Sequence, residues 1–283
     1  MKKQLILPVL ALIIAGIACS IQNVQMETID TQIVEISEPL PGNNDETKLM
    51  FQMTGGEFSI SPGTEGLVEG TITYNVEQWE PEFTRSSNLF EIKQVEPLRI
   101  TGIPSDEVKN KWDLSLTRNI PINLQIEGGA SDNDFDLTGL QLTNLTIKQG
   151  ASDTSIRFDS PNPIVMEELS YTTGASSAEI LGLGFANFKR MTLSGGAGDY
   201  TLDFTGALLQ DAVVDIKAGI SNITIIIPAG MNAVIINEGT ISNINSEGTW
   251  LLSDETYTTM EAGMTLTINL DMAVGNVNLI HLD

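Results

Sequence analysis

The sequence predicts an all-β molecule: a single-stranded parallel β-helix of about seven right-handed coils, preceded by a small antiparallel β segment. Three observations carry this. Apolar residues pair two apart, which places both on one face of a strand, and the three- and four-residue spacing of a helix is missing. A glycine recurs every 20–24 residues, at Gly129, Gly150, Gly174, Gly196, Gly219 and Gly239, and Ala273 takes the seventh place after a spacing of 34. That period belongs to solenoids. The apolar pairs also keep a fixed register to this anchor, five and three residues before it and six and eight after it, except that Asn245 breaks the second rule after Gly239.

Taken in chain order, residues 1–18 read as a signal peptide. Met1-Lys2-Lys3 is positive, and the run Leu5 to Ile17 is apolar apart from Pro8 and Gly16. It is too short for a comfortable transmembrane helix. Cys19 is the only cysteine and stands where a bacterial lipoprotein signal places its acylated cysteine, although Gly16 occupies a position usually held by Leu. Lipidation of Cys19, and a membrane partner held through that lipid, are therefore expected, with the protein facing outside the cytoplasm. Cleavage before Cys19 leaves 12 basic and 37 acidic residues, a net charge of −25. An anionic leaflet repels such a chain, so the lipid has to supply the attachment.

Residues 19–47 predict an acidic tether: Ser20 to Thr47 holds no Lys or Arg, six acidic residues, Pro39, Pro41 and Gly42. A short strand at Gln32–Ile36 is the alternative. Residues 48–121 predict an N-terminal β domain of short strands at Leu49–Thr54, Glu57–Ser61, Leu67–Asn75, Phe90–Gln94 and Lys111–Arg118, punctuated by Pro62-Gly63, Pro81 and Pro104.

Residues 122–283 predict the repeat domain, each unit being a strand, a tight glycine turn, a strand and a return loop. The pairs before the anchors are Leu124/Ile126, Leu145/Ile147, Leu169/Tyr171, Met191/Leu193, Val214/Ile216, Val234/Ile236 and Ile268/Leu270. Those after it include Phe135/Leu137, Ile156/Phe158, Leu202/Phe204 and Ile225/Ile227. Leu202 and Phe204 are thus expected in the core, and Thr201 and Asp203 outside it.

Composition narrows the function. A net charge of −23 and a pI near 4.1 exclude nucleic acid as a partner, which needs clustered Lys and Arg. One Cys excludes a disulfide framework, one His argues against His-based catalysis, and no cofactor is expected. The third residue after each anchor forms a column, Asp132, Asp153, Ser177, Asp199, Asn222, Ser242 and Asn276. Oxygens in a row suit calcium, but these residue types more often cap their own turns. Asp132, Asp134, Asp136, Asp199 and Asp203 raise the alternative of a carbohydrate-active β-helix enzyme, a polysaccharide lyase or glycosidase. Alternation turns Asp134 and Asp136 outward, which argues against it. The unit before Ala273 carries about ten extra residues within Asn243–Thr265, among them Trp250, Leu251, Leu252, Tyr257, Met260 and Met264. This segment reads as a cap over the solenoid end, or as a contact in which Trp250 and Tyr257 meet an envelope protein or glycan.

Leu193–Gly206 (LSGGAGDYTLDFTG), Thr173–Met191 and Leu266–Leu279 resemble the bacterial toast-rack family, and Phe51–Asn75 resembles its N-terminal domain. The resemblance runs from about residue 48 to the end. It implies a parallel β-helix of the cell envelope, related to proposed surface adhesins and to LiaF-like envelope-stress proteins, and brings no catalytic residues. A binding, adhesion or scaffolding module of the cell envelope, with envelope-stress sensing among its candidate roles, is the function these readings support together.

Overall fold

A computed structural model describes residues 26–94, 107–240 and 243–282. The strands are β1 (Gln32–Glu38), β2 (Thr47–Pro62), β3 (Val68–Tyr74), β4 (Pro81–Ser86), β5 (Leu89–Gln94), β6 (Asn110–Leu116), β7 (Ile122–Asp136), β8 (Leu142–Arg157), β9 (Met166–Leu181), β10 (Phe188–Asp203), β11 (Ala212–Ile227), β12 (Asn232–Asn237), β13 (Asn243–Glu247), β14 (Leu251–Ser253), β15 (Thr256–Thr258) and β16 (Thr265–His281). Among the described residues the only helical turns are 3₁₀, at Glu77–Trp79 and Leu183–Phe185. Accordingly, no helix among them is long and apolar enough to cross a membrane.

Seven long strands, β2, β7, β8, β9, β10, β11 and β16, lie parallel and in register as successive rungs of the β-helix. The apolar pairs before the anchors fill its interior: Leu124, Ile126, Leu145, Ile147, Leu169, Tyr171, Met191, Leu193, Val214, Ile216, Ile268 and Leu270 are all buried. On the other limb Phe135, Ile156, Ile180, Leu202, Ile225 and Leu279 do the same. Between the limbs the interior is partly polar, with Ser131, Asn133, Gln149, Thr154, Thr173 and Ser221 buried at the bend.

Four features differ from the sequence reading. The anchor glycines are not turns. Gly129, Gly150, Gly174, Gly196 and Gly219 each lie inside a continuous strand, β7 to β11 in turn, and the chain merely bends there. Their glycine identity follows from close stacking: a Cβ on Gly174 would stand 2.7 Å from the Gly150 carbonyl oxygen, and one on Gly150 would stand 3.0 Å from that of Gly129.

The second difference is the order of the rungs. β16 lies between β11 and the earlier strands β12 and β13, so the last strand is not the last rung. β2 likewise lies between β7 and the later strands β5 and β6, all parallel to it. At both ends, then, the outer rung is split at the bend into two short strands and covers a complete inner one.

Third, the unit aligned on Gly239 is displaced by one residue. Asn237 pairs with Leu270 and Asn243 with Asn276, which puts Thr240 at the anchor position. A one-residue shift exchanges the faces. Ala233 and Ile235 are buried, while Val234 and Ile236, expected inside, are only partly covered.

Fourth, the tether segment contributes β1, which pairs antiparallel with β3 over Gln32–Glu38. The antiparallel segment is β1, β3 and β6 together with the β4–β5 hairpin. Thr47–Pro62 is not part of it, because β2 stacks parallel on β7 across the junction placed at residues 121 and 122.

Candidate functional site

The C-terminal end carries the residues singled out for contact. β15 pairs antiparallel with the free side of β12, and β14 pairs antiparallel with β15, so β14 is the edge of the sheet. Asp254, with φ of 51°, makes the tight connection between them. Trp250 donates its Nε1–H to the Glu247 carbonyl at 2.9 Å. Its ring meets Tyr257 edge-on at 6.3 Å and lies 5.7 Å from the His281 ring. His281 is buried, with Nδ1 3.0 Å from the Thr249 carbonyl. The two aromatic residues are therefore partly buried and packed against the core. The exposed surface around them is aliphatic: Leu251, Leu252, Met260 and Met264 are 54%, 57%, 68% and 49% exposed.

The polar column after the anchors is in register across the rungs, from Asp132 through Asp153, Ser177, Asp199 and Asn222 to Asn276. Part of it is a ladder of amides rather than a set of turn caps. Asn276 Nδ2 donates to Asn222 Oδ1 at 2.9 Å, and Asn222 Nδ2 to Asp199 Oδ1 at 2.7 Å. Asn243 takes this position in the outer rung; Ser242 lies outside the described residues. Asp134 and Asp136 point outward, clamped by Arg157 at 3.1 and 3.0 Å. Burial acts to raise the Asp136 carboxyl, but the Thr138 and Arg157 hydrogen bonds outweigh it and hold it below the usual carboxylate range. Among the described residues no group of three or more His, Cys, Asp or Glu could hold a metal. Cys19 lies outside the described residues.

The N-terminal end holds a feature that the strand pattern did not reveal. A cavity of about 900 Å³ opens at the bend of the first rungs, lined by Met26, Met53, Trp79, Val108, Gln149 and the backbone of Gly128 to Ala130, among others. Its framework is a buried amide pair. Gln94 Nε2 donates to the Trp79 carbonyl and to Asn110 Oδ1, both at 2.8 Å, while Asn110 Nδ2 donates to Gln94 Oε1 at 2.9 Å. Thr54 donates its N–H to Gln94 Oε1 at 3.1 Å. Gln94 and Asn110 end and begin their strands, positions at which a polar residue gives no periodic signal.

Residues 21–164, just over half of the chain, match the family model described as the N-terminal domain of toast_rack, DUF2154. The chain belongs to the toast-rack family. Three solved structures resemble this toast-rack protein over most of both chains. A proposed cell-adhesion protein from Clostridium sporogenes is 19% identical, with 90% of this chain and 100% of its own covered at a TM-score of 0.49. A proposed adhesin from Bacteroides fragilis is 10% identical, with 91% and 99% covered at a TM-score of 0.34. One from Parabacteroides merdae is 7% identical, with 89% and 96% covered at a TM-score of 0.35. Likeness at this level transfers no function. No match is found among curated proteins.

Proposed function

We propose that this toast-rack protein is a lipid-anchored envelope protein working as a binding or adhesion module, with its contact surface at the far end of the β-helix. The observation that supports this most directly is the polarity of the sheet. β1, the strand nearest the N-terminus, is at one end of the strand order, and the β14–β15 hairpin is at the other. From β2 to β12 the stack takes seven steps, roughly 34 Å at the usual strand spacing. A lipid on Cys19 would hold the β1 end near the membrane and present the hairpin away from it.

The hairpin suits a protein partner better than a glycan. Its rings are partly buried against each other and His281, and the exposed surface around them is aliphatic. β14 also has β15 as its one strand partner among the described residues, which leaves an edge open to an added strand. The carbohydrate-active alternative draws no support from the acidic residues, since Asp134 and Asp136 are paired with Arg157 on the outer face.

The anchor is tested by detergent-phase partition of the protein from its bacterial host, with mass spectrometry of the N-terminal peptide. Acylated wild type enters the detergent phase, and Cys19→Ala does not. Recovery of wild type in the aqueous phase, without lipid on Cys19, would overturn the anchoring.

A further inference from the structure

Resting on the contact proposed above, we infer its chemistry: the hairpin receives a basic, aliphatic segment of a partner protein, laid as an added strand along β14. The open edge sets the mode of contact. β14 pairs with β15 on one side and has no other strand partner among the described residues. An added strand takes up the N–H and C=O groups that such an edge leaves over. Three residues offer few of these, so side chains have to supply the selectivity. Leu251 and Leu252 alternate to the two faces of the strand and both are exposed. Met260 and Met264, between β15 and β16, are exposed as well. Aliphatic side chains on the incoming segment would cover them.

Charge selects which aliphatic segment fits. Residues 218–283 hold seven Asp or Glu and no Lys or Arg. Earlier along the stack, carboxylates are matched by cations on neighbouring rungs: Glu127 by Lys148, Asp136 by Arg157, Glu167 by Lys189 and Asp215 by Arg190. Around the hairpin this matching stops. Glu247, Asp254, Glu255 and Glu261 are exposed, and among the described residues none of them is in an ion pair. Glu238 is brought close as well, because the N–H of its neighbour Asn237 donates to the Glu255 carbonyl at 3.0 Å. The last cation of the sequence, Lys217, stands on β11 opposite Asp271 of β16.

Asp254 and Glu255 directly follow β14, well inside the screening length of about 8 Å at physiological ionic strength. Lys or Arg on an added strand would meet these carboxylates without burial of either charge. Such pairs are individually weak, but they steer encounter and reject acidic partners. A second copy of this chain, at a net charge of −23, meets repulsion at this end, and so does an anionic polymer.

The probe is a fluorophore-labelled decapeptide alternating Lys and Val, titrated with the full chain at near-physiological salt and followed by anisotropy. Saturable binding is expected. A decapeptide alternating Lys and Ser carries the same charge without the aliphatic face and should bind roughly tenfold more weakly. Glu247→Gln, Asp254→Asn and Glu255→Gln combined should weaken Lys–Val binding roughly tenfold. Asn tolerates the positive φ that Asp254 adopts. Asp132→Asn, Asp153→Asn and Glu179→Gln remove as many exposed carboxylates from the middle of the stack, and should leave binding within about twofold. No saturable binding, equal binding of the two peptides, or equal losses in the two triple variants would overturn the proposal. Photocrosslinking from position 252 in cells separates it from the contact itself. A protein adduct undiminished in the hairpin triple variant would leave the contact standing and overturn its basic character, whereas no adduct at all would overturn both.

Discussion

Gly174 illustrates how a single atom limits this chain. Its φ is not in the left-handed region, so conformational freedom is not what requires glycine there. The carbonyl oxygen of Gly150 occupies the space a Cβ would need, and the same contact recurs rung after rung. The glycine period was therefore legible in the sequence, but its cause was not, because a turn and a close backbone approach select the same residue. Phe204 and Asp203 are neighbours on opposite faces. Phe204 is fully buried, and Phe204→Ala should cost about 3–5 kcal/mol in denaturant unfolding. Asp203 accepts the Thr205 N–H at 2.7 Å, so Asp203→Ala should cost about 1 kcal/mol rather than nothing. Equal losses at the two positions would contradict the assignment of faces.

Asp136 gives a pH dependence with a definite sign. Its folded pKa lies below the ordinary 3.8, so its contribution is fully present above the unfolded value and is lost as pH falls through the folded one. The gap in melting temperature between wild type and Asp136→Asn should therefore be constant from pH 7 down to about pH 5 and narrow below about pH 4. A gap that widens in acid would reverse the sign of the shift.

At the scale of the element, alternation made the long strands readable, because apolar residues two apart have one buried face to occupy. It failed where the alternation is ambiguous. Val234, Ile235 and Ile236 are all aliphatic, so either register satisfies the pattern, and pairing with β16 decides it. β2 was missed as a rung because Thr54 stands at its anchor position, although Leu49, Phe51 and Ile60 occupy the expected core slots. The Gln94–Asn110 framework was invisible for a different reason: it joins strand ends sixteen residues apart across a bend.

Within the extra segment Trp250 and Tyr257 pack as a cap, while the leucines, for which the contact is proposed, stay exposed. Trp250 is packed on Tyr257 and His281, so Trp250→Ala should lower the melting temperature by several degrees. Leu251 and Leu252 are more than half exposed, so the double change to Ser should leave melting within about 0.5 kcal/mol of wild type. Differential scanning calorimetry on both variants separates them. A leucine pair as sensitive as Trp250 would mean that the whole hairpin is cap.

For the whole molecule, the insertion of β2 and β16 behind split outer rungs gives both ends of the stack the same construction. That arrangement was hidden because a repeat pattern fixes what a rung looks like and not the order in which rungs stack. Its consequence is that each complete end rung is covered, and the most exposed edge at the C-terminal end belongs to a short hairpin with its own apolar surface. The proposed contact thus lies at the opposite end of the stack from the proposed anchor.

Site-specific photocrosslinking in intact cells tests this most directly. A photoreactive residue is placed at Leu252 on the hairpin or at exposed Glu179 on β9, midway along the stack. A contact at the hairpin predicts a discrete protein adduct from position 252 that the Leu251→Ser change reduces, and none from position 179. An adduct from position 179 alone, or equal adducts from both, would contradict it.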